Sequence, residues 1–346
     1  MFAPHDPNPR VDIQVIARGD SPRLRACVGS LVAHAAEVPF SITCVVNPVG
    51  RHDSPLDDLP DGVRVLTPRS NLGWGGGLHL ARAHTSAPLL VWAQEDMVVA
   101  DGWLDALVAT ADRHPRAGAV GSAEVDPETR LANGHAGGYA EPPDRVGEWN
   151  ATDVLRAGDA VHGVPLDWIT SKGMLTRAEA FDEVGGTDPR LFPLNHVDKD
   201  YGTHLRSHGW QLLLCPEAQL FHEGSRSSPP LLRRFLPGWQ EPDFDARWGD
   251  VVRRLGRGGA EPVDHECSPW TAGDVDEIER LAGREATVVL VPFSRFAATE
   301  LDTLRAERDA ARADLAEALT AFRGSTSWRV TAPLRALGRL IPRRRD

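Results

Sequence analysis

The chain has 346 residues, enough for one large domain plus an appendage, with 41% apolar and 25% charged residues as in ordinary globular proteins. Its formal net charge of -11 argues against nucleic acid as a partner for the bulk of the chain.

Residues 1–10 are polar and proline-rich, unlike a signal peptide. Residues 11–17 alternate as a strand does. Ser21 is placed to cap a helix with Pro22 at its first position, and Leu24, Cys27, Leu31 and Val32 mark one face of that helix. Residues 40–46 read as a second strand, ended by Asn47-Pro48-Val49-Gly50, and residues 63–66 as a third. Alternation of strand and helix predicts a mostly parallel sheet built from right-handed crossovers.

Asn71-Leu72-Gly73-Trp74-Gly75-Gly76-Gly77 reads as a glycine-rich loop entering an apolar helix. Glycine lets backbone amides approach an anion, and a helix N-terminus adds partial positive charge. The other reading is that small residues let a helix pack closely. Leu89-Leu90-Val91-Trp92-Ala93 then runs apolar without alternation, as in a strand buried on both faces, and stops at Gln94-Glu95-Asp96. Charge appearing where a parallel strand ends marks the ligand-binding edge of an open α/β sheet. Glu95 and Asp96 are hard oxygen donors suited to Mg²⁺ or Mn²⁺ carrying a phosphate; the alternative is a solvated acidic turn.

A helix is expected from residue 101, a short buried strand over 117–122, and a long Gly/Pro/acid-rich excursion over 126–159. Residues 164–169 read as a strand, Ser171-Lys172-Gly173 as a turn into another, and residues 177–184 as a helix stopped by Gly185-Gly186. Asp198 and Asp200 open a further helix, either as first-turn acids favoured by its dipole or with one of them as a general base. Residues 211–215 and 218–221 read as two strands, the second ending at His222, a residue that is structural or a ligand.

Beyond these, residues 231–255 read as helical elements on the acceptor side, 256–259 as a linker, 274–281 as a short helix and 287–293 as a strand. Leu301, Leu304, Arg308, Ala311, Leu315, Ala318 and Phe322 follow a 3,4 spacing, the seam of a coiled coil joining subunits or the face of a solvated helix. Residues 323–346 carry seven Arg against one Asp, about +6, which leaves about -17 for everything before them. With Leu337, Leu340 and Ile341 they form a basic amphipathic helix that can lie on an anionic membrane surface, or else a solvated tail. Cys27, Cys44, Cys215 and Cys267 are scattered without a Cys-x-x-Cys pair, which speaks for buried thiols in a reducing cytosol and against a zinc site. No run reaches the roughly 18 apolar residues of a membrane span.

Taken in order, these pieces resemble the family two glycosyltransferases, nucleotide-sugar enzymes of the GT-A fold, and most nearly their bacterial rhamnosyl- and galactofuranosyl-transferase-like branch. The resemblance runs from Val11 to about His222. It is carried by Asn71-x-Gly73 with Gly75-Gly76-Gly77, Gln94-Glu95-Asp96, Trp168, Gly173-Met174-Leu175, Val184-Gly185-Gly186-Thr187-Asp188, Asp198-x-Asp200, Gly209-Trp210 and His222. It implies an α/β domain over 11–235, an extension over 236–296, a coiled-coil-like helix over 297–322 and a basic tail over 323–346, the tail itself resembling one found on bacterial surface-polysaccharide glycosyltransferases.

The resemblance further implies an inverting transfer from a nucleotide-diphospho-sugar to a cell-surface glycan or lipid-linked acceptor. Asp198 would be the base, and Asp96 and His222 would be ligands of a divalent metal, Mg or Mn. Ala17, Asn47, Asn71, Gly73, Gly76, Gln94 and Glu95 would line the donor site, with Trp168, Lys172 and Asp200 on the acceptor side. The chain would sit in the cytoplasm, peripheral to the membrane's inner face. It departs from the family pattern at Gln94, the first position of the Asp-x-Asp motif, at Asn47, and at Val197 before the base. A catalytically silent module that binds glycan or scaffolds an assembly is the rival reading.

Overall fold

The computed structural model describes residues 2, 8–19, 21–34, 37–49, 58–126, 136–138, 163–222, 229–265 and 275–324. Among them the N-terminal half builds β1 (Val11–Arg18), α1 (Pro22–Ala33), β2 (Phe40–Asn47), β3 (Arg64–Leu66), α2 (Gly73–Arg82), β4 (Leu89–Gln94), β5 (Met97–Val99), α3 (Trp103–Arg113) and β6 (Ala117–Glu124). There follow β7 (Gly137–Gly138), β8 (Val164–Pro165), β9 (Trp168–Ile169), β10 (Met174–Arg177), α4 (Ala178–Glu183), a 3-10 turn at Pro189–Leu191, α5 (Val197–Ser207), β11 (Gln211–His222), α6 (Pro230–Leu255) and α7 (Val275–Gly324).

Nine strands form one sheet in the order β3-β2-β1-β4-β10-β6-β11-β5, with β8 added beside β11; β7 and β9 pair separately. The β3-β2-β1-β4 half is parallel throughout. The antiparallel β10 then separates β4 from β6. Both faces are covered. On one side Leu24, Cys27, Leu31, Trp103, Leu107 and Ala111 of α1 and α3 pack on the sheet. On the other lie Leu78, Ala81, Phe181, Tyr201 and Leu205 of α2, α4 and α5, joined by Ile278 and Ala282 from the start of α7. This burial explains why the alternation in β1 does not mean one wet face. Asp12 is as buried as its apolar neighbours, and its Oδ1 accepts hydrogen bonds from Ser41 Oγ (2.6 Å) and Thr43 Oγ1 (3.0 Å).

Ser21 caps α1 as expected, its side chain accepting from Leu24 N at 3.1 Å with Pro22 at the first position. Several expectations are corrected. The glycines after Asn71 lie inside α2 instead of forming a loop, and they let the helix lie close: a Cβ on Gly75 would stand 2.7 Å from Thr187 Oγ1, and one on Gly77 3.0 Å from Ile16. Residues 164–169 divide between β8 and β9 on different sheets. Residues 211–222 form a single strand, β11, whose register against β6 jumps between Cys215 and Gln219. Residues 256–259 are no linker: the carbonyls of Gly256 and Gly259 accept hydrogen bonds from the buried Arg206 guanidinium.

Residues 287–293 are helical, within α7. Their β-branched run has only one covered position, Val289 at 5% exposure, between Val288 at 51% and Leu290 at 61%. A strand inside a two-faced sheet would be covered throughout, so one-sided burial suits a helix. The expected domain edges at 235 and 296 fall inside α6 and α7. Arg69 pairs with Glu279 at 2.5 Å, tying the start of α7 to the sheet domain.

Compact units divide at Leu290/Val291. In the second unit the described part of α7 exposes Leu301 (46%), Leu304 (49%) and Leu315 (59%). The side chain of Phe322, Cys267 and the basic tail from residue 325 onward lie outside the described residues. Among the described residues no helix is long and apolar enough to cross a membrane.

Candidate active site

Strands β2, β1 and β4 end together, because their parallel registers pair Arg18 with Asn47 and Ile16 with Gln94. Beyond those ends opens a cavity of about 400 Å³. Its floor is Ala17, Asn47, Gln94, Glu95 and Asp96; its walls are the start of α2 at Gly73–Trp74, the turn Thr170–Ser171 and the segment 193–198 leading into α5. Of the residues predicted for a site, Ala17, Asn47, Asn71, Gly73, Gln94, Glu95, Asp96 and Asp198 line this one hollow.

Asn47 organises one wall. Its Oδ1 accepts from Leu72 N at 2.8 Å and its Nδ2 donates to Gly73 O at 3.3 Å. Asn71 Oδ1 accepts from Gly73 N at 2.8 Å, and Trp74 N donates to Pro193 O at 2.6 Å. The first amides of α2 are therefore committed within the protein, so this helix end is a structural joint and not an open anion cradle. Gly76, one turn deeper in α2, is buried and does not reach the cavity.

Glu95 accepts from Arg18 N at 3.2 Å and Ser21 Oγ at 3.4 Å, and burial pushes its carboxyl above the ordinary range despite those bonds. Asp96 differs. Both of its oxygens are buried and lack hydrogen-bond partners, and so does Nε2 of His222, 3.2 Å from Asp96 Oδ1 but misaligned for a hydrogen bond. Burial opposes its charge, but the proximity of His222 outweighs that and holds the Asp96 carboxyl below the usual range. The pair meets because β11 runs antiparallel to β5 and sets His222 opposite Met97, the residue after Asp96. Behind His222, Glu124 Oε1 lies 3.8 Å from Nδ1, and Lys172 pairs with Glu124. Three adjacent buried donor atoms, two oxygens and an imidazole nitrogen, with no aligned hydrogen bond to any of them, are the donor set a divalent cation takes, and the residues fit one.

Asp198 stands at the start of α5. Its Oδ2 accepts from Ser171 N at 3.3 Å and its Oδ1 from Lys199 N at 3.0 Å. Gln94 Nε2 donates to Ser171 Oγ at 3.4 Å, linking the end of β4 to the carboxylate across the hollow. The preceding Asn195 and His196 both have positive φ, 77° and 54°, unusual for residues other than glycine. Asn195 Nδ2 donates to Gln240 Oε1 at 3.1 Å, and His196 stacks on Phe244 with ring centroids 5.7 Å apart, so α6 holds the segment that presents Asp198.

The remaining predicted positions do not line the cavity. Asp200 is 3% exposed, faces the opposite way, accepts from Trp248 Nε1 at 2.6 Å and pairs with Arg247 at 2.8 Å. Burial raises its pKa to about 6, with Arg247 opposing the rise. It is held in the interior away from this cavity: two helical positions turn a side chain by roughly 200°. Lys172 is committed to Glu124, and Trp168 lies in β9 beneath Lys199 Nζ, 5.1 Å from its ring. Sequence reasoning missed Ser171, His196 and Glu124; the one signal at Asn195 and His196 is that these types take positive φ more often than other residues with a side chain.

An α/β sheet with carboxylates gathered where its parallel strands end marks the ligand-binding edge of an open α/β fold. A family model described as "Glycosyltransferase like family 2" matches residues 8–240, and the chain belongs to that family, with its GT-A arrangement of a mostly parallel sheet between helices. It is a glycosyltransferase. The chain is 26% identical over 242 residues to the N-acetylglucosaminyl-diphospho-decaprenol L-rhamnosyltransferase of Mycobacterium tuberculosis, covering 62% of this chain and 76% of that one. It is 29% identical over 235 residues to the O-antigen biosynthesis protein RfbC of Myxococcus xanthus, covering 63% of this chain but 18% of the relative. Among solved structures, GalNAc-T7 with UDP, GalNAc and Mn²⁺ aligns at a TM-score of 0.48 and 15% identity, over 80% of this chain and 54% of that one.

Proposed function

We propose that the cavity holds a nucleotide-diphospho-sugar and that the chain transfers the sugar, with inversion, to a hydroxyl of a cell-surface glycan or lipid-linked acceptor. The supporting observation is that Asp96 and Asp198 line one hollow, Asp96 beside His222 with bare buried donor atoms and Asp198 fixed by two backbone amides. The decaprenol-linked substrate in the Mycobacterium tuberculosis relative's name supports a lipid-linked acceptor.

Asp96 and His222 would hold a divalent cation, Mg²⁺ or Mn²⁺, which when bound supplies positive charge to the departing diphosphate. Ala17, Asn47, Asn71, Gly73 and Gln94 form the donor wall. Asp198 takes the acceptor hydroxyl's proton on a carboxylate oxygen as that hydroxyl attacks the anomeric carbon. One displacement inverts the anomeric centre, with the attacking hydroxyl and the departing diphosphate on opposite sides of the sugar. Glu95, bonded to the end of β1, orients the strand ends around the donor.

The test is transfer from candidate nucleotide sugars with Mn²⁺, wild type against Asp198→Asn. Loss of a general base lowers kcat by about 10²- to 10⁴-fold while donor-induced thermal stabilisation persists. An Asp198→Asn chain within a few-fold of wild type would refute the assignment.

We further propose that α7 beyond residue 296 pairs with a second copy through Leu301, Leu304 and Leu315, and that the basic tail holds the protein at an anionic membrane surface near a lipid-linked acceptor. The exposure of those leucines supports the first, and the charge of the tail the second. Leu301→Asp with Leu304→Asp should dissociate the pair in sedimentation equilibrium. Deleting residues 323–346 should abolish co-sedimentation with anionic vesicles.

A further inference from the structure

We propose that His204, His208 and His265 form a second metal site, for a divalent transition cation such as Zn²⁺, where the end of α5 meets the segment following α6. One ligand atom from each of the three lies within 4.8 Å of the other two. His204 and His208 are four positions apart, one helical turn, so both project on one side, the spacing by which helices present paired imidazoles to zinc. The third ring arrives on the segment after α6, which Val263 N fastens to Ser207 O at 2.9 Å and an antiparallel bridge fastens between His208 and Pro262. The rings stand at 67°, 82° and 88° to one another, with centroids 4.8, 5.4 and 5.7 Å apart. Such steeply crossed rings surround a common point and do not stack.

The hydrogen bonds assign the lone pairs. Nδ1 of His208 donates to His204 O at 3.0 Å, and Nδ1 of His265 donates to Val263 O at 2.7 Å, which leaves Nε2 of each ring as an acceptor. A backbone carbonyl fixing the far nitrogen is the usual support of a metal-bound imidazole. Ser207 Oγ gives its proton to His204 O at 2.7 Å, so it has none to give to His265 Nε2, 3.4 Å away. His204 is buried at 4% exposure, with the rings of His208 and His265 standing edge-on to its own. Trp248 closes one side, 5.5 Å from the ring of His204 and 4.9 Å from that of His265.

Three imidazoles make a nitrogen site for zinc, copper or nickel, chemically unlike the carboxylate-containing pair at Asp96. The scattered cysteines speak against a zinc site of thiolates only; here the donors are histidines, and the third comes from a different element. Bound metal would clamp the segment after α6 to the helix that carries Asp198.

The test uses the full chain, stripped with chelator, in an Asp96→Asn background so that the active-site acid is removed. Calorimetric titration should show one Zn²⁺ per chain. Affinity should fall at least about tenfold in the added His265→Gln variant, and likewise in His208→Gln. The Co²⁺-loaded chain should show visible ligand-field bands that both variants lose. No Zn²⁺ uptake by the Asp96→Asn chain overturns the site, as does unchanged affinity in either variant whose circular dichroism matches its parent.

Discussion

Gly73 carries a prediction that separates backbone strain from contact. Its φ is +68°, and a Cβ there would stand 2.7 Å from Pro193 O, 3.0 Å from Phe192 Cδ2 and 3.1 Å from Pro193 Cα. Gly73→Ala therefore incurs two costs. An L-residue in the left-handed region costs about 1–2 kcal/mol. Relieving the collision means moving the Pro193 carbonyl, which accepts from Trp74 N at 2.6 Å, and losing that hydrogen bond costs about 0.5–1.5 kcal/mol more. The sum, roughly 2–3 kcal/mol, lowers Tm by roughly 3–5 °C in a domain of this size. Gly102 is the internal control: its φ is +73° and a Cβ there would meet nothing within 4 Å, so Gly102→Ala carries the strain alone. Calorimetry on both variants should leave a difference of about 1 kcal/mol. Initial transfer rates should drop for Gly73→Ala, because Pro193 leads into the segment presenting Asp198, and hold for Gly102→Ala. Equal melting points and equal rates for the two variants would refute the reasoning.

Three further outcomes are expected. Burial lowers the pKa of His79 to about 4 from 6.5, so the unfolded chain binds the extra proton first and stability is lost as pH falls from 6.5 toward 4, by roughly 3 kcal/mol in all. Denaturant titrations across that range should show the slope, reduced in His79→Gln. Arg206→Met removes the partner of Asp167 (3.0 Å) and the donor to Gly256 and Gly259, both ends buried, and should cost about 3–5 kcal/mol by urea unfolding. Asp96→Ala and His222→Ala should each abolish the Mn²⁺-dependent rise in Tm, whereas Asp200→Asn should leave that rise in place while lowering Tm itself.

The sheet was legible because its strands are apolar runs with sharp stops, and the stop after Ala93 marks the cavity floor. Other features were opaque for identifiable reasons. Glycine's poor helix propensity made Gly75 to Gly77 read as loop, when the tight approach of α2 to Ile16 and Thr187 is what requires them. Residues 287–293 read as strand because β-branched residues favour one, and their helical state follows from a helix that starts twelve residues earlier. Asp198 and Asp200 were equally visible as acids. Only the direction of α5 and the presence of Trp248 and Arg247 assign one to the cavity and the other to the interior. The pairing of Asp96 with His222 follows from strand adjacency between β5 and β11, which local sequence does not encode.

That adjacency constrains how the chain can change length. Between Cys215 and Gln219 β11 advances four residues while its partner advances one, from Ser122 to Ala123. Successive side chains on a strand face opposite ways, so the parity of this bulge decides whether the imidazole at the far end shares the sheet face of Leu220 and meets the acid, or turns to the other face. Loss or gain of a single residue at positions 216–218 would reverse it, whereas a change of two would restore it. Related chains should therefore differ here by even numbers, and a one-residue deletion should be rescued by a second.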